Sequence, residues 1–138
     1  MIRTVEEYHD SLKAMKPNIY MGGEVLGREN MPGTEIMDLT IELAHAKKVQ
    51  HLTTAKSHLT GETISRFCHI HQSPEDLLAK QEMTRMASRL VGGCIARCMG
   101  IDAMNALSVI TYQCDQAHGT EYHQRFLEYL KFWQANDI

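Results

Sequence analysis

Two cysteines, Cys94 and Cys98, stand four positions apart in the second half of the chain. If this segment is helical, the two thiols lie on one face, with Cβ atoms roughly 5–6 Å apart. Paired thiolates can supply two ligands to a soft metal centre, whereas zinc and iron–sulfur sites usually take four protein ligands. The pair therefore predicts half of a metal site, whose remaining ligands have to come from elsewhere.

A simpler interpretation treats the same cysteines as small apolar side chains in a core. Free cysteine is among the most buried residue types, and Met86, Leu90, Cys94 and Cys98 follow one another at helical spacing. Spacing alone favours core packing over metal ligation. A redox-active pair is disfavoured, because the spacing is not C-x-x-C and no βαβ pattern surrounds it.

Other residues with chemical potential form weaker patterns. Cys68 and His71 could complete a zinc site with the cysteine pair, although no sequence rule brings them together. Solvated or capping histidines are the more common case. The chain contains no G-x-G-x-x-G, P-loop or nucleophile-elbow motif, so the sequence indicates none of the chemistries that these motifs serve.

The bulk properties restrict the class of protein. The 138 residues suffice for one compact domain, and we expect residues 1–138 to form it. Lys and Arg number 14 and Asp and Glu 17, and no basic run occurs, which argues against nucleic-acid binding. The apolar runs are too short to span a bilayer. Four cysteines without an apolar leader segment predict reduced thiols and a cytoplasmic location.

Hydrophobic periodicity is helical along most of the chain and predicts an all-α fold of five or six helices. Thr4 and Glu7 have the spacing of a capping box, and Ser73 followed by Pro74 marks another helix start. The expected helices run from Thr4 to Pro17, Thr34 to Lys48, Thr63 to His69, Ser73 to about Met99, Asp102 to Gly119 and from Thr120 onward, with an extended piece at Ile19–Met21 and a turn at Ser57–Gly61.

Two glycines, Gly92 and Gly93, fall inside the fourth of these expected helices. Each costs about 1 kcal/mol relative to alanine in a helix interior. We therefore expect either close approach of another backbone or a ligand at this point, or tight helix packing. The last helix is expected to face the core with Tyr122, Phe126, Tyr129, Leu130 and Trp133.

A set of spaced residues along the whole chain matches one family pattern. The set comprises Tyr20-Met21 with Gly23-Glu24, Lys56-Ser57-His58-Leu59, Arg66-Phe67, His71-Gln72-Ser73, Cys94-x3-Cys98-x-Gly100-x-Asp102-Ala103-x-Asn105-Ala106, Asp115-Gln116, Gly119-Thr120, Tyr122-His123 and Glu128-Tyr129-Leu130-Lys131. Together these residues resemble the N-terminal part of the 4-hydroxybutyryl-CoA dehydratase / vinylacetyl-CoA Δ-isomerase family. The wider family includes flavin-dependent 4-hydroxyphenylacetate 3-hydroxylases and has an acyl-CoA-dehydrogenase-like fold.

The resemblance implies an enzyme that uses FAD and a [4Fe–4S] cluster. Such an enzyme converts 4-hydroxybutyryl-CoA to crotonyl-CoA and isomerises vinylacetyl-CoA. Two of its cluster ligands map to Cys94 and Cys98, and Arg85 falls on a position near the active site, which makes it a substrate-side candidate. The family pattern has glutamine where this chain has Ala96, so the resemblance leaves the acyl group of the substrate open.

The resemblance also implies partners for this chain. Family members continue several-fold beyond Ile138 with an FAD-binding β domain, a C-terminal helical domain and the other cluster ligands, and the full-length form is expected to be a homo-oligomer acting on acyl-CoA. We therefore expect these 138 residues to be inactive alone and to hold no cofactor stably. The alternatives are the N-terminal domain of a flavin-dependent aromatic hydroxylase and a non-catalytic helical partner module.

Overall fold

Helices dominate the computed structural model, which describes residues 2–138. Within this range the helices are α1 (Val5–Lys13), α2 (Thr34–His45), α3 (Gln50–Thr53), α4 (Pro74–Val91), α5 (Cys98–His118) and α6 (Tyr122–Asn136). Two short hairpins pair β1 (Ile19–Met21) with β2 (Glu24–Leu26) and β3 (Thr54–Lys56) with β4 (Thr63–Ser65), and 3₁₀ turns cover Arg28–Asn30 and Arg66–Cys68. The predicted all-α class is confirmed, and no helix among the described residues could cross a membrane.

Helix starts with strong local signals lie where the sequence predicts them. The Glu7 amide donates to the Thr4 hydroxyl at 3.2 Å, and the Thr4 amide donates to the Glu7 carboxylate at 2.9 Å, which is the reciprocal capping box. At α4 the Asp76 amide donates to the Ser73 hydroxyl, and Pro74 occupies the first turn. These side chains satisfy amides that have no partner within their own helix.

The expected helix from Ser73 to about Met99 is wrong in its last third. It ends at Val91 because Gly92 adopts a left-handed conformation with φ of 72°, as glycines beyond helix ends commonly do. No described atom lies within 4 Å of a Cβ built on Gly92 or Gly93, so neither the approach of another described backbone nor tight helix packing accounts for them. The next helix then begins at Cys98 instead of at Asp102, and Asp102 forms an ion pair with Lys80 of α4.

The start of α6 is also set by a residue other than the predicted one. Glu121, not Thr120, stands at the capping position. The Asp115 carboxylate of α5 accepts hydrogen bonds from the amides of Tyr122 and His123, both at 2.9 Å, and from the Thr120 hydroxyl at 2.6 Å. The Thr120 hydrogen bond, assisted by those from the two amides, lowers the pKa of the Asp115 carboxyl.

Two hairpins occupy segments where the sequence signals are mixed. The expected extended piece at Ile19–Met21 is confirmed and pairs antiparallel with Glu24–Leu26 around a glycine turn. The expected helix from Thr63 to His69 is wrong, because its first three residues pair with β3 in the register Thr54↔Ser65. The turn at Ser57–Gly61 is confirmed by a 2.9 Å bond from the Gly61 amide to the Ser57 carbonyl.

The core consists of two apolar clusters that meet at the adjacent residues Phe67 and Cys68. The first contains Ile64, Cys68, Ile70, Met104, Phe126, Leu130 and Trp133, and the second contains Leu43, Phe67, Met83, Ala87 and Ile95. The predicted inward positions of α6 are confirmed for Phe126, Leu130 and Trp133. They are wrong for Tyr122 and Tyr129, which are 49% and 50% exposed.

The packing of α6 predicts a large stability loss for Leu130→Ala, because Leu130 is fully buried. Truncation to alanine leaves a cavity and loses the transfer free energy of the removed atoms, so we expect the unfolding free energy to fall by about 3 kcal/mol. The matched control is Leu90→Ala on α4, whose side chain is 58% exposed, and which we expect to change stability by less than about 0.5 kcal/mol. Urea unfolding of both variants measures the difference, and equal losses would contradict this core.

Candidate metal-ligand site

A sharp turn connects α4 to α5 and contains both Cys94 and Cys98, the second of which is also the first residue of α5. We call residues 92–98 the thiol turn. Ala96 adopts a left-handed conformation with φ of 59°, and the Arg97 amide donates to the Ile95 carbonyl at 2.7 Å. The backbone thus reverses over three residues, so the expectation that both cysteines sit on one continuous helix is wrong. The thiols nevertheless remain neighbours, since Cys94 is among the groups that raise the pKa of the Cys98 thiol.

Exposure of the pair argues against a packing role for Cys94. Its side chain is exposed, whereas Cys98 is partly buried against the second core cluster. The interpretation of both cysteines as core residues is therefore wrong for Cys94 and holds only in part for Cys98. All four cysteines of the chain carry free thiols.

The surroundings of Cys98 disfavour its thiolate form. Burial raises the pKa of the Cys98 thiol, and the charge and hydrogen bond of Cys94 and the charge of Asp102 raise it further, against an opposing hydrogen bond from the Met99 backbone. The Ala96 amide donates to the Cys94 sulfur at 3.4 Å. A positive charge beside Cys98, such as that of a metal ion, would favour its thiolate form.

The residues between the cysteines attach the thiol turn to the rest of the fold. Ile95 is fully buried in the second core cluster. The Arg97 guanidinium forms a 2.7 Å ion pair with Asp137, and the two side chains are 5% and 2% exposed. It also lies 4.8 Å from the centre of the Phe67 ring. The turn therefore alternates exposed residues, Cys94 and Ala96, with anchored ones.

The structure does not bring Cys68 and His71 to the thiol turn. Cys68 is fully buried, and its thiol donates to the Asp137 carboxylate at 3.4 Å. Burial strongly raises the pKa of this thiol, and the Asp137 charge adds to the shift. Between residues 2 and 138 no group of three or more His, Cys, Asp or Glu side chains could hold a metal ion. The possible completion of the site by Cys68 and His71 is therefore wrong.

Arg85 lies apart from the cysteines on the exposed side of α4. It lines a groove of about 610 Å³ together with Val49, His51, Leu52, Leu78, Gln81, Glu82, Met86 and Arg89. Neither cysteine lines this groove. Arg85 and Arg89 stand one helical turn apart and have no hydrogen-bond or ion-pair partner among residues 2–138. The groove thus offers two available guanidinium groups beside apolar side chains.

Sequence reasoning does not identify Arg97 and Asp137, the buried ion pair next to Cys98. Arginine is rarely fully buried, and its partner is 40 positions away in the chain.

The left-handed Ala96 predicts a stabilising substitution. A residue with a Cβ atom loses about 1 kcal/mol in this conformation relative to glycine. We expect Ala96→Gly to raise the unfolding free energy by about that amount, whereas the control Ala103→Gly, in the exposed part of α5, should lower it by about 1 kcal/mol. Urea unfolding gives both values, and a loss of stability in Ala96→Gly would contradict this backbone geometry.

The comparisons with known proteins agree with the resemblance drawn from the sequence. A family model described as "4-hydroxyphenylacetate 3-hydroxylase N terminal" matches residues 4–138. The chain is 41% identical over 145 residues to the 4-hydroxybutyryl-CoA dehydratase/vinylacetyl-CoA-Delta-isomerase of Clostridium aminobutyricum, an alignment that covers 100% of this chain and 29% of that relative.

A solved structure shows the same fold. An oxygen-tolerant archaeal 4-hydroxybutyryl-CoA dehydratase from N. maritimus superposes with a TM-score of 0.91 at 35% identity, covering 99% of this chain and 28% of the other. The chain thus spans less than a third of the length of these relatives. Its match over residues 4–138 places it in the 4-hydroxyphenylacetate 3-hydroxylase N-terminal family, on a fold shared with 4-hydroxybutyryl-CoA dehydratases.

Proposed function

We propose that residues 1–138 form one helical domain that serves as the cluster-ligating N-terminal part of a 4-hydroxybutyryl-CoA dehydratase/vinylacetyl-CoA isomerase. The observation that carries the proposal is the meeting of Cys94 and Cys98 at an exposed turn. It occurs in a chain whose whole length aligns with such an enzyme. Together these two observations support ligation over core packing.

The residues present fit two corners of a [4Fe–4S] cluster. Cys98 is the first residue of α5, and the positive end of a helix dipole stabilises negative charge such as that of a thiolate. The Ala96 amide hydrogen bond to the Cys94 sulfur acts in the same direction. A bound cluster would supply an iron that acts as a Lewis acid, and FAD would supply one-electron chemistry. The other ligands belong to polypeptide beyond this range.

Arg85 is proposed as a substrate-side residue. Its guanidinium has no partner among residues 2–138 and stands in the groove beside Leu52, Leu78 and Met86. An unpaired arginine beside an apolar floor suits a ligand that combines an anionic group with an acyl chain, as acyl-CoA does. Ala96 presents a methyl group where the family pattern has a glutamine side chain, so its surroundings offer one polar side chain fewer to a substrate.

A hybrid enzyme tests the proposed function. This chain would replace the matching N-terminal region of the Clostridium aminobutyricum relative. We expect the purified hybrid to contain iron, sulfide and FAD and to form crotonyl-CoA from 4-hydroxybutyryl-CoA. Cys94→Ser and Cys98→Ser should each abolish iron loading, while Cys114→Ser, a partly exposed cysteine of α5, should leave it intact. A folded hybrid with FAD but without iron would favour the flavin hydroxylase alternative.

The isolated chain is expected to hold no stable cluster, because only two candidate ligands converge in it. Anaerobic reconstitution with iron and sulfide, followed by desalting and by iron and sulfide assays, gives the stoichiometry. We expect far less than one four-iron cluster per chain and no turnover of 4-hydroxybutyryl-CoA. A full cluster on the isolated chain would show that the ligand set is different from the one proposed.

A further inference from the structure

We propose that Arg97 and Asp137 are positioning residues, whose buried ion pair holds the thiol turn in the conformation that brings Cys94 and Cys98 together. This inference rests on the proposed function, because it explains how the two candidate ligands are held before any metal centre binds. Arg97 directly precedes Cys98 and follows Cys94 by three positions. Any displacement of its backbone therefore moves both cysteines.

Backbone hydrogen bonds close the turn locally, from the Gly93 amide to the Ser88 carbonyl and from the Arg97 amide to the Ile95 carbonyl, but few side chains orient it. Gly92 and Gly93 have open space around them, and Cys94 and Ala96 are exposed. Two side chains reach inward, those of Ile95 and Arg97. Burial of Ile95 is favourable in many orientations, because apolar contact is not directional. Arg97 instead makes a directional contact, because its Nη2 atom donates to the Asp137 carboxylate at 2.7 Å, whereas its buried Nη1 atom has no hydrogen-bond partner among the described residues. This single directional contact orients the turn.

The partner of Arg97 is itself held in place from several directions. Asp137 is in a left-handed conformation with φ of 47°, directly after α6. Its carboxylate accepts a hydrogen bond from the Arg3 amide at 3.2 Å and one from the Cys68 thiol at 3.4 Å, besides the Arg97 contact. The carboxylate is therefore a fixed docking point for the guanidinium.

A positioning role accounts for an ion pair that stability alone explains poorly. Buried ion pairs are often no better for folding than apolar residues of similar volume, because desolvation offsets the attraction. Their best-attested contribution is to select one arrangement over others. At Arg97 the arrangement selected is the left-handed turn at Ala96 that separates Cys94 from Cys98.

The test uses phenylarsine oxide, a trivalent arsenical that bridges two neighbouring thiols. Two As–S bonds form, both thiol protons join the arsenic-bound oxygen, and water leaves. We expect the reduced wild-type chain to bind it as a bridged adduct through Cys94 and Cys98. Arg97→Met should weaken this affinity by about tenfold or more, which corresponds to a modest loss of preorganisation. In Arg97→Met the exposed Cys94 should react with iodoacetamide at the same rate as in the wild-type chain.

Three further variants complete the experiment. Arg97→Lys should restore part of the affinity, and Asp137→Asn should weaken it as Arg97→Met does. Arg66→Met is the matched control, because Arg66 is a second buried arginine, 8% exposed in its side chain, that pairs with Asp76 away from the thiol turn. It should lower the unfolding free energy without changing arsenical affinity.

The outcomes separate the two proposals. A wild-type chain that forms no bridged adduct at Cys94 and Cys98 contradicts the ligand assignment within the proposed function. A wild-type chain that does so, while folded Arg97→Met binds equally well, contradicts the positioning role alone. An equal loss in Arg66→Met also contradicts it. If Arg97→Met does not fold, unchanged affinity in folded Asp137→Asn decides against the inference in the same way.

Discussion

The fold depends on a buried carboxylate, that of Asp137. Asp137 lies at the end of α6, and its carboxylate joins this helix to three other parts of the chain. These parts are the Arg3 amide before α1, the Cys68 thiol after β4 and the Arg97 guanidinium before α5. Removing one member of a buried ion pair leaves an uncompensated charge at a cost of about 3–5 kcal/mol. The carboxylate also explains Cys68: burial raises the pKa of that thiol, the neighbouring negative charge raises it further, and the neutral thiol can then donate.

A second buried arginine, Arg66, uses the same physical device in the 3₁₀ turn that also contains Phe67 and Cys68. Arg66 donates to the Leu52 and Thr54 carbonyls and pairs with Asp76 at the start of α4. Burial opposes ionisation of Asp76, but hydrogen bonds from the Gln72 amide and His69, with the charges of His69 and Arg66, hold its pKa below the usual range. Both arginines therefore bind carboxylates that also fix helix ends, so charge pairing and chain topology are set together.

The sequence predicts those features of the fold that depend on residues close together in the chain. The Thr4–Glu7 capping box and the start of α4 at Ser73–Pro74 depend only on neighbours within one turn, and both were predictable. The end of α4 is not predictable in this way, because Gly92 and Gly93 fall within the apolar helical pattern, whereas Gly92 is the left-handed terminus of the helix. Contacts across long sequence distances, such as Arg97 with Asp137, leave no local pattern. They are the contacts that orient the candidate site.

Apolar periodicity identified helix faces but not what covers them. Along α5 the side chains of Leu107, Val109, Ile110 and Tyr112 are between 43% and 57% exposed, and Phe132 on α6 is 55% exposed. Large apolar patches of this kind usually mark an interaction surface. The chain spans 29% of its dehydratase relative, so a surface for further polypeptide accords with the proposed function. The thiol turn, which offers two ligands where four are needed, is incomplete in the same sense.

Helical spacing predicts that Cys94 and Cys98 are neighbours, but in the structure a left-handed turn at Ala96 lies between them instead of a continuous helix. On a continuous helix, residues four apart are neighbours, but both side chains project outward from the same cylinder. In the thiol turn the chain instead reverses at Ala96, and the reversal leaves an amide free to donate to the Cys94 sulfur. A helix would have committed that amide to its own hydrogen-bond ladder. The turn requires a left-handed alanine. It leaves the Cys94 thiol exposed and the Cys98 thiol partly exposed, and its Ala96 amide donates to the Cys94 sulfur. That arrangement needs an anchor outside the turn, which is why the buried guanidinium between the two cysteines matters to their chemistry.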